Sequence, residues 1–329
     1  MKLWELCRAY LTVFPEEPHR TLAKRISTDH STYKLEQVRG ALREIRGRMG
    51  KHNRERHQNK EFHLPPEKRL YDPYNIPDTD ATNKEDYKLN IRKGNWLWLF
   101  DGHFPFHDPD AINVALEYGD KRGLNGIGLG GDWLDFAQIS KFCADPEARS
   151  PSEEIAILRE FLVSLRKSFK RIPIIYEEGN HEQRWKIWWW THGKLLGNAE
   201  SKKLEGELKL DELNIKWLPT ERVVVYKELA IMHGHQLLKG ASTPISPART
   251  AYLKTNEITA LGHLHKSSEY TFTTRRDKLV TCWSAGCLCN LHPDYAPVNQ
   301  WNLGFQLLTV EDDKVWRIEN KRIYKNKVF

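Results

Sequence analysis

Apolar residues are spaced in two different ways along this chain, and the change comes near residue 95. Before residue 50 the spacing is helical. Leu3, Leu6, Tyr10 and Leu11 predict one helix, and "RTLAKRIS" predicts a short second one with Thr21 as its N-cap. Leu35, Val38, Leu42 and Ile45 then place a single apolar stripe on a third helix, whose opposite face carries Arg39, Arg43, Arg46 and Arg48. A short helix, a polar turn ("TDHST") and a longer basic helix is the layout of a helix-turn-helix unit that lays its second helix on nucleic acid. A small helical bundle with a solvated basic face has the same pattern. Residues 51–94 are polar, contain prolines and keep no period. They are expected to form a linker or an arm lying over the next domain, with Tyr71, Tyr74 and Ile76 as docking points.

From Asn95 onward short apolar runs alternate with amphipathic stretches. "WLWLF", "GIGLG", "IPIIYE", "RVVVYKELAIM", "EITALG" and "LVTCWSAG" predict strands, and "GFQLLTVEDDKVWRIENKRIY" predicts a closing hairpin around Glu311–Asp313. "AINVALEYGDKRG" and "PSEEIAILREFLVSLRKSF" predict helices between them. A polar cluster follows strand after strand, and ligands of α/β sheets bind at such C-terminal strand ends. The glycine-rich "GIGLGGDWLDF" (residues 126–136) belongs to this series. It lacks the G-x-G-x-x-G order of a nucleotide cradle, so its glycines are expected to let a strand end turn sharply.

Composition narrows the class. A hydrophobic fraction of 40%, with 12 each of Trp, Tyr and Phe, belongs to a folded protein. No apolar run reaches the roughly 18 residues that cross a bilayer, and charges interrupt the first twenty residues, so neither a membrane span nor a signal peptide is expected. Cys282, Cys287 and Cys289 lie close together, but no second pair completes a zinc framework; reduced thiols and a cytoplasmic location are expected. The net charge of +7 favours anionic partners such as nucleic acid.

The clusters at the strand ends together supply carboxylates, an amide oxygen and imidazoles, a donor set that suits Mn, Fe or Zn better than Ca or Mg. In chain order they are D-x-H (Asp101 to His103), G-D-x-x-D (Gly131 to Asp135), G-N-H-E (Gly179 to Glu182), H-G-H (His233 to His235) and G-H-x-H (Gly262 to His265). This ordered set resembles that of the calcineurin-like metallophosphoesterases, over roughly residues 95–310. The resemblance implies an α/β fold, a four-layer α/β/β/α metallophosphoesterase sandwich, here with a small all-α N-terminal domain (1–50), the arm (51–94) and a catalytic domain (95–329). It also implies two divalent metal ions, with Mn expected first and Fe or Zn as alternatives. Asp101, His103 and His265 would hold one ion, and Asn180, His233 and His263 the other, with Asp132 bridging them. A hydroxide bridging the metals would attack phosphorus. His181 would contact the phosphate or protonate the leaving oxygen, Asp135 would orient His181, and His235 would touch substrate or support its loop.

Two positions depart from the phosphoprotein-phosphatase branch, in which an arginine follows the second aspartate and another precedes G-N-H-E. Here those positions hold Phe136 and Glu178, leaving Arg184 as the candidate replacement contact to phosphate. Trp185, Trp188 and Trp189 keep helical spacing and are expected in the core, with stacking on nucleic-acid bases as the alternative. The combined expectation is a metal-dependent phosphodiesterase or nuclease hydrolysing DNA. The alternatives are a phosphomonoesterase, either Ser/Thr protein phosphatase-like or acting on nucleotides, and a non-catalytic nucleic-acid-binding scaffold.

Overall fold

The computed structural model describes residues 2–15, 17–46, 85–142, 145–193, 202–237, 244–312 and 315–329. The chain divides into two compact units, Met1–Ala81 and Thr82–Phe329.

Among the described residues, the first unit holds α1 (Leu3–Val13), α2 (His19–Asp29) and α3 (Leu35–Ile45). Leu6, Cys7, Leu22, Ala23, Ile26, Val38 and Leu42 close into one small core, so the stripe on α3 faces inward. Helix α2 starts at His19, directly after Pro18, and Thr21 lies inside its first turn instead of capping it. Proline's fixed φ leads the chain into the helix three residues earlier than the cap signal suggests. The arginines of α3 do not form one open face. Arg39 pairs with Glu36, and Arg46 Nη2 donates to the Pro15 carbonyl (2.6 Å), tying the end of α3 to the segment after α1. Arg48, Tyr71, Tyr74 and Ile76 lie outside the described residues.

The second unit runs β1 (Tyr87–Lys88), β2 (Gly94–Leu99), α4 (Pro109–Lys121), β3 (Leu124–Leu129), α5 (Pro151–Ser168), β4 (Ile174–Glu177), α6 (Asn180–His192), α7 (Leu204–Glu207), β5 (Ile215–Leu218), β6 (Val224–Tyr226), β7 (Leu229–Met232), α8 (Pro247–Thr255), β8 (Ile258–Leu261), β9 (Ser268–Thr273), β10 (Leu279–Ser284), β11 (Leu303–Val310), β12 (Trp316–Tyr324) and β13 (Lys327–Val328). Seven strands form one sheet in the order β13-β12-β11-β2-β3-β4-β5, and six form a second in the order β1-β6-β7-β8-β10-β9. The parallel core of the first sheet is β2 to β5, and β7, β8 and β10 run parallel in the second. "RVVVYKELAIM" is a hairpin of β6 and β7, because Lys227 takes a left-handed φ of 53° and turns the chain.

Side-chain alternation builds the layers. Leu97, Leu99, Ile127, Leu129, Ile174 and Tyr176 share one core with Ala111, Ile112 and Ala115 of α4 and Ile155, Leu158 and Leu162 of α5. Trp96, Trp98 and Phe100 point the other way and meet Val224, Ile231, Ala260, Val280 and Trp283 of the second sheet. Beyond that sheet, Ala251 of α8 packs on Met232 and Leu261. The second unit is therefore a helix/sheet/sheet/helix sandwich. Trp185 and Trp189 are buried in the first of these cores and Trp188 packs against it, while Trp190 is 64% exposed.

The glycines of "GIGLGG" serve chiefly this packing. A Cβ at Gly126, Gly128 or Gly130 would come within 2.4, 2.1 or 2.2 Å of the rings of Trp96, Trp98 and Phe100. Strand β3 is thus a bare trough in which three rings of the neighbouring strand lie, each stacked on the next. The sharp turn expected of the whole stretch belongs to Gly131 (φ +92°). Gly128→Ala should therefore cost about 1–3 kcal/mol through overpacking, read as a fall in the calorimetric melting midpoint of roughly 2–4 °C per kcal/mol. Gly206→Ala, where nothing lies within 4 Å of the added Cβ, should leave the midpoint unchanged or slightly higher. Equal effects of the two substitutions would remove the packing role of the trough.

Candidate metal centre

The clusters named from the sequence follow β2, β3 and β4 of one sheet and β7 and β8 of the other, at their C-terminal ends. Backbone hydrogen bonds knit these loops together. Asp101 N–H donates to the Gly131 carbonyl (3.1 Å), His103 N–H to the Asp132 carbonyl (2.9 Å) and Gly262 N–H to the His233 carbonyl (3.0 Å). Two contacts cross between the sheets: His263 N–H donates to Asp101 Oδ2 (2.9 Å), and His233 Nδ1 bonds the Gly130 carbonyl (2.8 Å). Asp101, His103, Asp132, His263 and His265 all have left-handed φ, from 47° to 72°. Each such residue costs of order 1–3 kcal/mol, and strain of this kind gathers at functional sites.

The loops after β3 and β4 are held by one carboxylate. Glu182 Oε2 accepts N–H bonds from Asp132 and Gly179 (2.9 Å each). Its Oε1 accepts from Trp133 N–H (2.8 Å), Leu134 N–H (3.2 Å) and the Tyr176 hydroxyl (2.8 Å). Burial, with the charge of Glu182 beside it, pushes the Tyr176 phenol well above its usual range, so it remains a donor. The approach is close enough that a Cβ on Gly179 would sit 2.2 Å from Asp132 Oδ1.

Around this frame imidazole nitrogens and carboxylate oxygens crowd together. His103 Nε2 lies 3.1 Å from His265 Nε2, which is 3.4 Å from Asp101 Oδ1. His233 Nε2 lies 3.1 Å from Asp132 Oδ2 and 3.9 Å from Asp101 Oδ1. Two ligands at about 2.0–2.2 Å from one cation, at tetrahedral or octahedral angles, are separated by about 3.0–3.5 Å. The nitrogens that face away are bonded elsewhere: His103 Nδ1 to Asp135 Oδ1 (3.2 Å), His233 Nδ1 to the Gly130 carbonyl, and His265 Nδ1 beside Cys289 Sγ (4.0 Å). Fixing one ring nitrogen in this way leaves the other free to bind metal. Asp101 Oδ1, Asn180 Oδ1, His233 Nε2 and His263 Nδ1 are buried without a hydrogen-bond partner, the condition a bound cation relieves. Among the described residues, the groups whose ligand atoms fall within 4.8 Å of one another are His103–Asp132–His181, Asp132–His233–His263 and His103–His265–Cys289. Asp132 is common to the first two, and the residues fit the expected pair of ions.

Electrostatics point the same way. Burial disfavours charge on His233, yet Asp132 and Asp101 hold its pKa up to about 10. Burial likewise opposes charge on His103, and the bond from Asp135 with the charges of Asp132 and Asp101 lifts it to about 9. Burial drives His263 down to about 4 and His181 down to about 3.

The roles expected of Asp135 and His181 are rearranged. The Asp135 carboxylate bonds His103, and its nearer oxygen is 3.7 Å from His181 Nδ1. Instead the backbone carbonyl of Asp135 takes the His181 Nδ1 bond (2.7 Å), because the left-handed turn at Phe136 aims that carbonyl at the ring. Arg184 Nη1 donates to the same carbonyl (2.7 Å) and its Nη2 lies 2.9 Å from His181 Nε2, so Arg184 stands beside His181. His181 N–H donates to Asp132 Oδ1 (2.9 Å). His235 is buried with its ring 5.2 Å from that of His233 and 6.1 Å from that of His263. The positions of the missing arginines are otherwise engaged: Phe136 is buried against Trp185, and Glu178 Oε2 accepts from Thr220 N–H and Oγ1. Two residues at the centre went unassigned in the sequence, Glu182 and Cys289. The signal for Glu182 was its place three residues after Gly179 at a helix start, where a carboxylate reaches back to the backbone.

Glu182→Gln preserves shape but turns an amide NH₂ toward backbone donors. By leaving buried N–H groups unpaired it should destabilise the protein by about 1–3 kcal/mol and reduce bound metal, read by thermal unfolding and elemental analysis. Wild-type melting with full metal content would show that the Glu182 bonds are dispensable.

No protein-family model matches the sequence, and no curated protein matches it. Among solved structures the chain is similar to Vacuolar Protein Sorting 29 from Cryptosporidium parvum, at 14% identity over 73% of this chain and 96% of that one, with a TM-score of 0.39. It is similar to the Pseudomonas putida nuclease MPE (14% identity, 71% and 85% covered, TM-score 0.32) and to the Escherichia coli phosphoesterase Yfce (14% identity, 70% and 97% covered, TM-score 0.32).

Proposed function

We propose that this chain is a two-metal phosphoester hydrolase, a phosphodiesterase that cleaves DNA. The observation that carries the proposal is the convergence of His103, His265, Asp101, His233 and Asp132 at coordination-edge separations, with partnerless buried donor atoms among them. Asp101, His103 and His265 would hold one ion, Asn180, His233 and His263 the other, and Asp132 both; the donors suit Mn, with Fe or Zn as alternatives. When bound, the ions supply positive charge for the phosphoryl oxygens and lower the pKa of water. The chain's own residues do the positioning. His181 and Arg184 stand together at the rim of the centre and would meet the phosphate or the leaving oxygen. Asp135 keeps His103 in one tautomer with its carboxylate and holds His181 with its carbonyl. His235 supports the histidine loop or touches substrate.

A diester is favoured over a phosphoprotein because Phe136 and Glu178 leave no arginine at the positions that grip phosphate in protein phosphatases. DNA is favoured by the net charge of +7 and by the basic third helix of the first unit. A non-catalytic scaffold would need neither Asn180 with a partnerless oxygen nor a buried Asp132 shared between two ligand groups.

Metal-stripped protein should be inactive on a bis-aryl phosphodiester and regain turnover with Mn; failure of both samples would end the catalytic proposal. His181→Ala should lower kcat about 100- to 10,000-fold with metal content unchanged, whereas loss of metal would make His181 a ligand. The polymer substrate is tested separately. Charge reversal of Arg39 and Arg43 to Glu should weaken DNA binding at least several-fold and flatten its salt dependence, while hydrolysis of the small diester is unchanged. Unaltered DNA affinity would take the helical unit out of substrate binding.

A further inference from the structure

Beside the centre, residues 289–302 form a loop that is built and held from both ends. Cys287 N–H donates to the Asn302 carbonyl (3.0 Å), and Asn302 N–H to the His265 carbonyl (2.9 Å). Asn290 N–H donates to the Phe106 carbonyl (2.8 Å), while Phe106 N–H donates to the His103 carbonyl (2.6 Å). Inside the loop, Asn299 Nδ2 bonds the carbonyls of Leu291 (2.6 Å) and Ala296 (2.7 Å), and Asn299 Oδ1 accepts from Trp301 N–H (2.8 Å). The loop is therefore tied to the backbone of His103 on one side and of His265 on the other.

It carries two aromatic rings at the edge of the centre. Trp301 lies against His265, with ring centroids 4.1 Å apart at 69°. Tyr295 follows Trp301, 6.2 Å away at 62°, and is 72% exposed. Phe106, 49% exposed, lies on the segment that Asn290 grips. Two cations flank this surface: Arg184 beside His181, and Lys266, next to His265, whose Nζ bonds Gln300 of the loop. Hydrophobic burial does not explain the position of Tyr295, since its ring covers no core cluster and faces solvent.

We propose that the exposed ring of Tyr295, supported edge-on by Trp301, is a stacking face for a nucleobase adjoining the phosphate held at the centre, so that the preferred substrate is an unpaired strand. The proposal rests on the phosphodiesterase reading above and adds the substrate's form to it. An aromatic face next to a phosphate site, with cations on either side, matches the alternation of base and phosphate along a single strand, and stacking of this kind tolerates any base. A base paired inside a duplex has no free face to offer. The loop's internal bonds hold the rings in place before substrate arrives, which lowers the ordering cost of binding.

The experiment uses the full-length chain and a short single-stranded oligonucleotide carrying the fluorescent base 2-aminopurine, with a matched strand in which abasic residues replace its bases. Wild-type protein should quench the 2-aminopurine on binding. Tyr295→Ala should weaken that binding by about 5- to 30-fold, as loss of one base stack implies, and abolish most of the quench. Tyr295→Phe, which keeps the ring, should bind as wild type. The abasic strand should bind wild type and Tyr295→Ala alike. Equal weakening of both strands, no weakening of either, no binding of the strand by wild type, or undiminished binding of a fully paired duplex would each overturn the platform. Binding is read without turnover, so absence of hydrolysis of the bis-aryl diester by Mn-loaded protein would fail the catalytic reading while leaving the platform result standing. Where turnover is present, Tyr295→Ala should raise KM for the base-containing strand by a similar factor with kcat nearly constant.

Discussion

The buried carboxylate of Glu182 is the constraint from which the rest of the centre follows. Four N–H groups from two backbone segments and the hydroxyl of a tyrosine end on its two oxygens. The loop after β3 and the start of α6 cannot separate without leaving that carboxylate and its donors unpaired in the interior, where an unmade hydrogen bond costs the full desolvation of each group. With the two segments locked, Asp132 has one orientation available. Its Oδ1 takes the His181 N–H and its Oδ2 is turned toward His233. A carboxylate placed between ligands of two sheets is thus a product of a hydrogen-bond frame that never touches the ligands' own chemistry.

That frame also accounts for how charge is arranged. Three aspartates, Asp101, Asp132 and Asp135, have pKa values held down by the imidazoles around them even though burial works against it. The imidazoles divide accordingly. His103 and His233 face carboxylates and are raised to about 9 and about 10, while His263 and His181 are left to burial and fall to about 4 and about 3. The carboxylates hold positive charge on His103 and His233, while His181 at the rim stays neutral beside the fixed charge of Arg184. A neutral His181 with its Nδ1 proton committed to that carbonyl has a lone pair at Nε2, which accepts from the guanidinium, so Arg184 is the group at the rim with donors to offer an anion.

How much of this was legible in the chain depended on whether the partner of a residue could be named from its neighbours. Strand ends and their histidines and aspartates were legible, because each apolar run stops where the polar cluster begins. The alternation of Trp96, Trp98 and Phe100 was visible too, but its meaning was not. It required the register of β2 on β3, which sets Trp96 opposite Gly126 and Trp98 opposite Gly128. Asp135 was expected to orient His181 through its side chain; a left-handed residue at Phe136 gives that task to the main chain, and no residue type announces such a turn at phenylalanine. The tie between the end of α3 and the segment after α1 was hidden for a related reason. Arg46 satisfies a carbonyl at Pro15, thirty-one residues earlier, and a helical wheel contains no trace of that bond. Strands β5 and β9 and helix α8 were not expected at all. They are short or half-exposed, with little periodic signal, and are set by pairing and packing against longer neighbours.

The glycine trough explains why the two sheets can bring their carboxylates and imidazoles together. Phe100 sits at the end of β2, immediately before Asp101. A Cβ on Gly130 of the first sheet would come 2.2 Å from its ring, and one on Gly262, directly after β8 of the second, would come 2.6 Å from it. The ring is therefore held between bare backbone on both sides, and the residues that follow at each point are Asp101, Gly131–Asp132 and His263. Any side chain at Gly130 or Gly262 would push one sheet end away from the other, and with it the Asp101–His263 and His233–Gly130 bonds that cross between them. Core packing and site geometry are thus set by the same contact: the closeness of the carboxylates and imidazoles, which calls for cations, is fixed one residue beneath them by an aromatic ring lying on glycine.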